Sequence, residues 1–421
     1  MSTNPSAQQD QVFFTKHPIL DAKRKLWGYE LISGDKESGA RLSSAQMKDS
    51  DELASSTFIG IQQAMDRGKR ILLSFDEQSL LDKAPYAFSP EQCVVKFRGQ
   101  SGDRASLVKA LETLKADGYT LAVDILADAA VIKEILNQID IITIDLGAGV
   151  DPKILREKTK SLEALLLSAR VQRLDQFETL RDAGFTLFQG AFFKEPEIIA
   201  DRKLTSHEIS RINILKVIES DDPDLDVLAE AISTDVSVSF RLLTYLNSAA
   251  FGFQQKIQSI RQAINMLGVI KMKNWLRAVL LADMAQQGDN PQELVLLSLQ
   301  RGRFLETIGR EYDFWGFDPG SLFLLGLFSL IDAILGMPTA KVVEYLPLDE
   351  KMKLALCRNP NNEYQPLMEL MEYIEDTDWA RLEAHVQQLS FDIEVVKEAY
   401  TEAMTWAGGF FDTREKAQEK A

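Results

Sequence analysis

Acidic, amide, hydroxyl and amino side chains recur at the ends of short apolar runs in the first half of this 421-residue chain. Glu30 lies in Trp27-Gly28-Tyr29-Glu30-Leu31, Ser74 closes Ile71-Leu72-Leu73-Ser74, and Lys96 closes Val94-Val95-Lys96. Asp124, Asp145 and Ala169 end the runs that start at Leu121, Ile142 and Leu166, and Gln189 precedes Gly190 after Leu187-Phe188. The runs come at regular intervals, as the strands of a β/α barrel do, and the strand ends of such a barrel form its functional rim. Acids gathered on a rim suit divalent-metal hydrolysis, because a hard cation requires several oxygen ligands. Here the acids are interrupted by a lysine, an alanine and a serine. The pattern speaks against hydrolysis and for a binding or scaffolding role.

Such a rim needs a scaffold, and the grammar of the chain changes once. From about Val12 to Pro196, β-rich runs at Ile71–Phe75, Val94–Phe97, Leu121–Ile125, Ile141–Leu146 and Leu165–Ser168 alternate with amphipathic stretches. One stretch is marked by Leu107, Leu111 and Leu114, another by Ala130, Ile132 and Ile135. Strands alternating with helices predict a parallel sheet, and seven or eight units close a barrel. The segment is short for that fold, so some helices are trimmed. Beyond Pro196 the strand signals stop. Leu242, Leu243 and Leu246 share a helical face, as do Leu276, Val279 and Leu280. Asp221-Asp222-Pro223-Asp224 ends one helix and opens the next. The predicted fold class is therefore α/β followed by all-α. Its parts are a polar disordered tail at 1–10, a trimmed TIM-like barrel at 11–196, a junction at 197–206, a helical bundle at 207–408 and a polar tail at 409–421.

Composition bounds the function. Hydrophobic content of 45% and charged content of 26% describe an ordinary globular chain. Leu322 to Ile331 is too short to span a bilayer and meets Asp332, so it reads as a buried helix. Met1-Ser2-Thr3-Asn4-Pro5 lacks a secretory pattern, and a cytoplasmic location is expected. Cys93 and Cys357 are far apart and are expected to be buried reduced thiols. The formal net charge of −16 argues against nucleic acid as a partner. Lys271, Lys273 and Arg277 could form a local basic patch, but on one helix face they read as solvated charges.

On the motifs His17-Pro18-Ile19, Gly28-Tyr29-Glu30-Leu31 and Gly184-Phe185-Thr186-Leu187-Phe188-Gln189-Gly190, the first half resembles the EAL domain of cyclic diguanylate phosphodiesterases, a modified β/α barrel. The resemblance places Glu30 at the family's metal-binding signature glutamate. Gly34 stands at an arginine that contacts substrate phosphate. Ser74 stands at a metal-binding asparagine and Lys96 at a metal-binding glutamate. Asp124 matches the first of two paired aspartates, and Ile125 replaces the second. Thr143 falls at the lysine that assists the attacking water, and Asp145 keeps the acid after it. Ala169 and Gln172 replace two further glutamates, and Gln189 is retained.

The second half resembles the HDOD domain, a helical relative of HD-type phosphohydrolases without their metal site. The match runs from Ile232-Ser233-Thr234-Asp235-Val236 through Leu243-Thr244-Tyr245-Leu246-Asn247-Ser248-Ala249-Ala250-Phe251. It continues from Ile257 to Ile264-Asn265-Met266-Leu267-Gly268. Where an HD enzyme carries its His-Asp pair, Ser329 and Leu330 stand instead. His17, His207 and His385 are the chain's only histidines, too scattered for a metal centre.

Each candidate has a plainer alternative. Glu30, Asp124 and Asp145 form either a residual ligand cluster or an internal ion pair with Lys96 that closes the barrel mouth, and the charge balance favours the ion pair. Gln189 either binds nucleotide or caps the last strand, and His17 reads as a hydrogen-bonded rim histidine. Asn247 and Ser248 fix a turn between helices, Asp235 caps a helix, and Gly268 marks an interhelical turn. Trp275, Trp315 and Phe328 read as core. The expectation is a non-catalytic signalling protein without metal or cofactor, its partners other signalling proteins and neither nucleic acid nor membrane. The alternative is a cyclic diguanylate receptor using Lys96, Arg98 and Arg170 for phosphate. An active phosphodiesterase is the third reading. A homodimer is the default oligomer.

Overall fold

The computed structural model describes residues 13–33, 69–97, 102–124, 133–145, 163–220, 225–233, 236–247, 257, 259–285, 291–312 and 316–418. It divides into two compact units, residues 1–195 with 372–385, and residues 196–371 with 386–421. The first unit therefore takes in Glu372–His385, a stretch whose helical pattern alone groups it with 207–408.

The first unit is built on a closed barrel of β1 (Phe14–Asp21), β2 (Leu26–Ser33), β3 (Arg70–Phe75), β4 (Cys93–Phe97), β5 (Thr120–Asp124), β6 (Ile141–Asp145), β7 (Leu165–Ala169) and β8 (Leu187–Gln189), in sequence order. From β2 to β8 neighbouring strands are parallel. β1 departs from the all-parallel expectation and runs antiparallel to both β2 and β8. An antiparallel neighbour needs only a tight turn, whereas a parallel one needs a crossover. The turn between β1 and β2 is held by the Lys23 and Lys25 amides, which donate to the Asp21 carboxylate at 2.8 and 2.9 Å. The strand itself is hard to see in the sequence, because Lys16, His17 and Pro18 interrupt its apolar pattern.

Ile19, Leu72, Val94, Ala122, Ile141, Leu167 and Leu187 form an apolar layer inside the barrel, with Trp27 packed against it. A larger apolar cluster includes the alternate strand residues and the helical residues Leu107, Leu111 and Leu114. The helices described around the barrel are Glu77–Leu81, Arg104–Ala116 and Leu174–Asp182. Asp76 and Asp103 cap the first two by accepting amide hydrogens from Ser79 and Ser106. Ala130 and Ile132 lie outside the described residues, and buried Ile135 leads into a 3-10 turn at Leu136–Gln138.

The second unit is helical. It opens with Ser206–Ile218, whose Thr205 and Glu208 form a reciprocal capping box. Among its longer elements are Val236–Leu246, Ile260–Leu267, Val269–Met284, Pro291–Glu311 and Pro319–Phe328. Leu242, Leu246, Leu276, Val279 and Leu280 are buried, as are Trp275 and Phe328. Trp315 lies outside the described residues. No helix among the described residues is long and apolar enough to cross a membrane.

Three expectations need correction. Cys93 is buried but Cys357 is exposed, because it sits at the C-terminal cap of the Glu350–Leu356 helix. Arg277 is not a solvated charge but is buried and pairs with Glu219 at 2.7 and 2.6 Å. The closing helix spans Ile393–Gln418 and runs through most of the stretch that composition marks as a tail. Arg414, Glu415, Lys416 and Gln418 are polar but good helix formers, so polarity alone misjudges them.

Candidate functional site

Side chains alternate across a strand, so residues two apart share a face. The polar candidates follow the apolar layer by that step. Ser74 comes after Leu72, Lys96 after Val94, Asp124 after Ala122, Thr143 after Ile141, Ala169 after Leu167 and Gln189 after Leu187. On antiparallel β1 the step reverses, and His17 precedes Ile19. Glu30 pairs in register with His17 on β1 and Leu72 on β3. The barrel thus carries a polar layer directly above an apolar one, toward the C-terminal ends of its parallel strands.

At the centre of this layer is a three-residue network. The Lys96 ammonium donates to Glu30 Oε1 at 3.0 Å, and Gln189 Nε2 donates to Glu30 Oε2 at 2.8 Å. The Lys96 and Glu30 side chains are each only 7% exposed. Burial alone would raise the Glu30 carboxyl, but the charge and hydrogen bond of Lys96 and the bond from Gln189 outweigh it. The net effect holds the group below its ordinary value. Ser74, Asp124 and Thr143 are buried in the same layer, and the Thr143 hydroxyl donates to the Val123 carbonyl at 3.1 Å. Burial pushes the His17 imidazole down to about 4, so the ring is neutral at neutral pH, with Nε2 3.0 Å from Thr15 Oγ1.

The other rim candidates lie apart from this network. Asp145, at the end of β6, binds Arg170, whose Nε donates to Oδ1 at 2.8 Å and whose second guanidinium nitrogen reaches Oδ2. Ala169 at the end of β7 is half-buried and brings no ligand. The Gln172 amide donates to the Gln176 side chain at 3.0 Å. Gly190 follows Gln189 with φ +141°, and a β-carbon there would come within 2.1 Å of the Val171 carbonyl oxygen. Only glycine lets β8 end so close to that loop. Gly34, Arg98 and Ile125 lie outside the described residues.

Two residues at the rim escape sequence reasoning. Lys194, just after β8, donates to Glu375 at 2.7 Å across 181 positions of chain, and the Glu375 side chain is 5% exposed. Nothing local in the sequence announces a pair so widely separated.

In the second unit, Asn247 donates to the Leu243 and Ile257 carbonyls at 2.7 and 2.9 Å and accepts the Ile257 amide at 2.8 Å. It ties the end of one helix to a residue ten positions on. Gly268, at φ +83°, joins Ile260–Leu267 to Val269–Met284 in a conformation that favours glycine. Asp235 and Ser248 lie outside the described residues. Ser329 accepts from Arg301 Nη1 at 2.9 Å and donates to the Gly326 carbonyl at 2.7 Å, while Leu330 is buried. His207 is exposed, and His385 packs edge-on against Tyr373. Among the described residues no three His, Cys, Asp or Glu side chains converge in a way that could hold a metal ion.

Comparison with known proteins finds a family model for the second half and relatives along nearly the whole chain. Residues 207–341 match the family model of the HDOD domain. The chain is 30% identical over 404 residues to the cyclic di-GMP phosphodiesterase CdgJ of Vibrio cholerae, a match spanning 94% of this chain and 92% of that one. It is 29% identical over 413 residues to YuxH of Bacillus subtilis, spanning 96% of this chain and 100% of that one. Among solved structures, an EAL domain protein of Listeria monocytogenes aligns with a TM-score of 0.34 at 17% identity, over 44% of this chain and 88% of the other.

Proposed function

Because the chain belongs to the EAL–HDOD proteins, we propose that it is a cytoplasmic signal-transduction protein whose barrel does not hydrolyse cyclic diguanylate. The barrel serves as a docking or sensory module, and the HDOD half as a protein-interaction domain. The observation that carries this reading is the state of Glu30. Hydrolysis in EAL phosphodiesterases relies on divalent ions held by carboxylates, and each ion needs about six oxygen ligands. Here both oxygens of Glu30 are engaged, one by an ammonium and one by an amide. The Lys96 cation occupies the same layer as Ser74 and Asp124, and Asp145 is turned to Arg170. The residues present do not fit a two-metal cradle, so no hydrolytic step is assigned to them. CdgJ is named a phosphodiesterase, and the proposal separates this chain from that activity.

A second reading, a cyclic diguanylate receptor without turnover, is favoured by Arg170. Its side chain stays 66% exposed on the rim while paired with Asp145, and a guanidinium fork suits phosphate. One experiment tests both readings. The full chain is titrated with cyclic diguanylate by calorimetry, with and without Mg²⁺ or Mn²⁺, and the same samples are analysed for the linear dinucleotide. The leading reading expects neither heat nor product. Binding without product, abolished by Arg170→Ala, establishes the receptor. Metal-dependent product refutes both.

A further inference from the structure

The rim of the barrel is held by a piece of chain that the barrel sequence does not supply. β1 runs antiparallel to its neighbours, so its first residue, Phe14, pairs with Ser33 at the C-terminal end of β2. Phe13 therefore stands at the rim. Lys194 ends the turn Ala191–Lys194 that leaves β8 at the same end. Both residues are engaged by Glu372–His385, which belongs to the barrel's compact unit. Trp379 meets the Phe13 ring edge-on at 5.7 Å between centroids, and the Glu375 carboxylate takes the Lys194 ammonium at 2.7 Å. His17, on the same strand that Phe13 leads into, pairs in register with Glu30, whose carboxylate Lys96 holds.

Glu372–His385 is shaped as a self-supporting hairpin. The helix Gln365–Glu375 ends in a turn where Thr377 has φ +55° and the Asp378 amide returns to the Tyr373 carbonyl at 3.0 Å. Trp379–Gln388 then leads away, and His385 on this second helix contacts Tyr373 on the first at 5.3 Å between ring centroids. The two helix ends and their turn can thus engage or leave the rim as one body.

We propose that Glu372–His385 is a strap on the barrel mouth, latched by the Lys194–Glu375 ion pair and the Phe13–Trp379 contact, and that releasing it opens the polar layer of the barrel to solvent and ligands. The pair suits a latch. Its geometry is short and its carboxylate is shielded from water, so removing either partner weakens the contact, while exchanging the two charges keeps the 194–375 attraction; Asp376 adds a longer, more exposed contact to Lys194 at 3.9 Å.

The test places a reporter thiol at the barrel rim. Ala169 is half-buried at the end of β7, the strand beside β8, on the interior face shared with Leu167. Ala169→Cys is introduced into the full chain together with Cys357→Ser, leaving buried Cys93 as the other thiol, and its labelling rate is measured. Lys194→Ala or Glu375→Gln should raise that rate at least tenfold. The exchanged pair Lys194→Glu with Glu375→Lys should restore it. Hydrogen–deuterium exchange should rise in Glu372–His385 while the amides of β3 to β6 keep their protection. An unchanged labelling rate overturns the strap. So does an acceleration accompanied by loss of protection throughout the barrel, or one that the exchanged pair fails to reverse.

Discussion

Replacing Lys96 with methionine removes the ammonium from the barrel interior while keeping most of the side-chain stem. The perturbed contact is 3.0 Å long and both side chains are 7% exposed, so water has little room to replace it. Glu30 keeps the Gln189 amide at 2.8 Å as its remaining partner in the network. Removing one member of a buried ion pair costs about 3–5 kcal/mol. With a urea dependence of about 3 kcal/mol per molar, the barrel transition should move down by roughly 1–1.7 M. Trp27, packed on the interior apolar layer, provides a fluorescence signal for that transition.

The sign of the pH dependence sharpens the test. In the native protein the Glu30 carboxyl is held below its ordinary value. The pair's contribution is therefore complete above the unfolded value of about 4.3 and is lost as pH falls through the lower folded value. Without Lys96, burial raises the carboxyl instead. The penalty is then absent below the unfolded value and grows as pH rises toward the new folded one. The stability difference between the two proteins should accordingly be largest at pH 7 and shrink on acidification toward pH 5. Groups common to both proteins cancel. A cost below about 1 kcal/mol at pH 7, the range of an exposed pair, would refute the buried-pair account. So would a difference that stays flat or widens on acidification.

Three further outcomes follow from particular contacts. Asn247→Ala removes the side chain that bridges Leu243 and Ile257, and should lower the stability of the helical unit by about 1–2 kcal/mol in urea unfolding. Gly190→Ala forces a β-carbon toward the Val171 carbonyl at φ +141°, and the strain and overlap together should cost at least about 3 kcal/mol, read as lost soluble yield or lost near-ultraviolet dichroism. Thiol labelling should modify Cys357 rapidly in the native protein. Cys93, whose thiol burial pushes up to about 12, should react only after unfolding.

The barrel was legible because its runs are short, apolar and evenly spaced, and because period-two alternation carries a strand register into a list of interior residues. Glu30, Ser74, Lys96, Asp124 and Gln189 could be placed in one layer for that reason. β1 was not legible as a strand, since Lys16, His17 and Pro18 break its pattern and the direction of a strand leaves no mark on composition. The choice of Glu30 over Asp124 as the partner of Lys96 was equally hidden, because both acids are within a plausible reach and only the closed barrel decides between them. Lys194 and Glu375 lay furthest from view. Their pairing depends on how a distant helix end meets the rim, which no local period encodes.

The inverted first strand has a mechanical consequence. β1 begins at the same end of the barrel at which β8 finishes, and the two meet through Ile19–Gln189, Leu20–Phe188 and Asp21–Leu187. Tension applied between the entering and departing chain would therefore load this seam like a zipper, pair by pair from Ile19–Gln189, instead of shearing all its hydrogen bonds together. The first pair to part contains Gln189, which holds Glu30. Within this seam, therefore, the pair that feeds the buried charge network is loaded first.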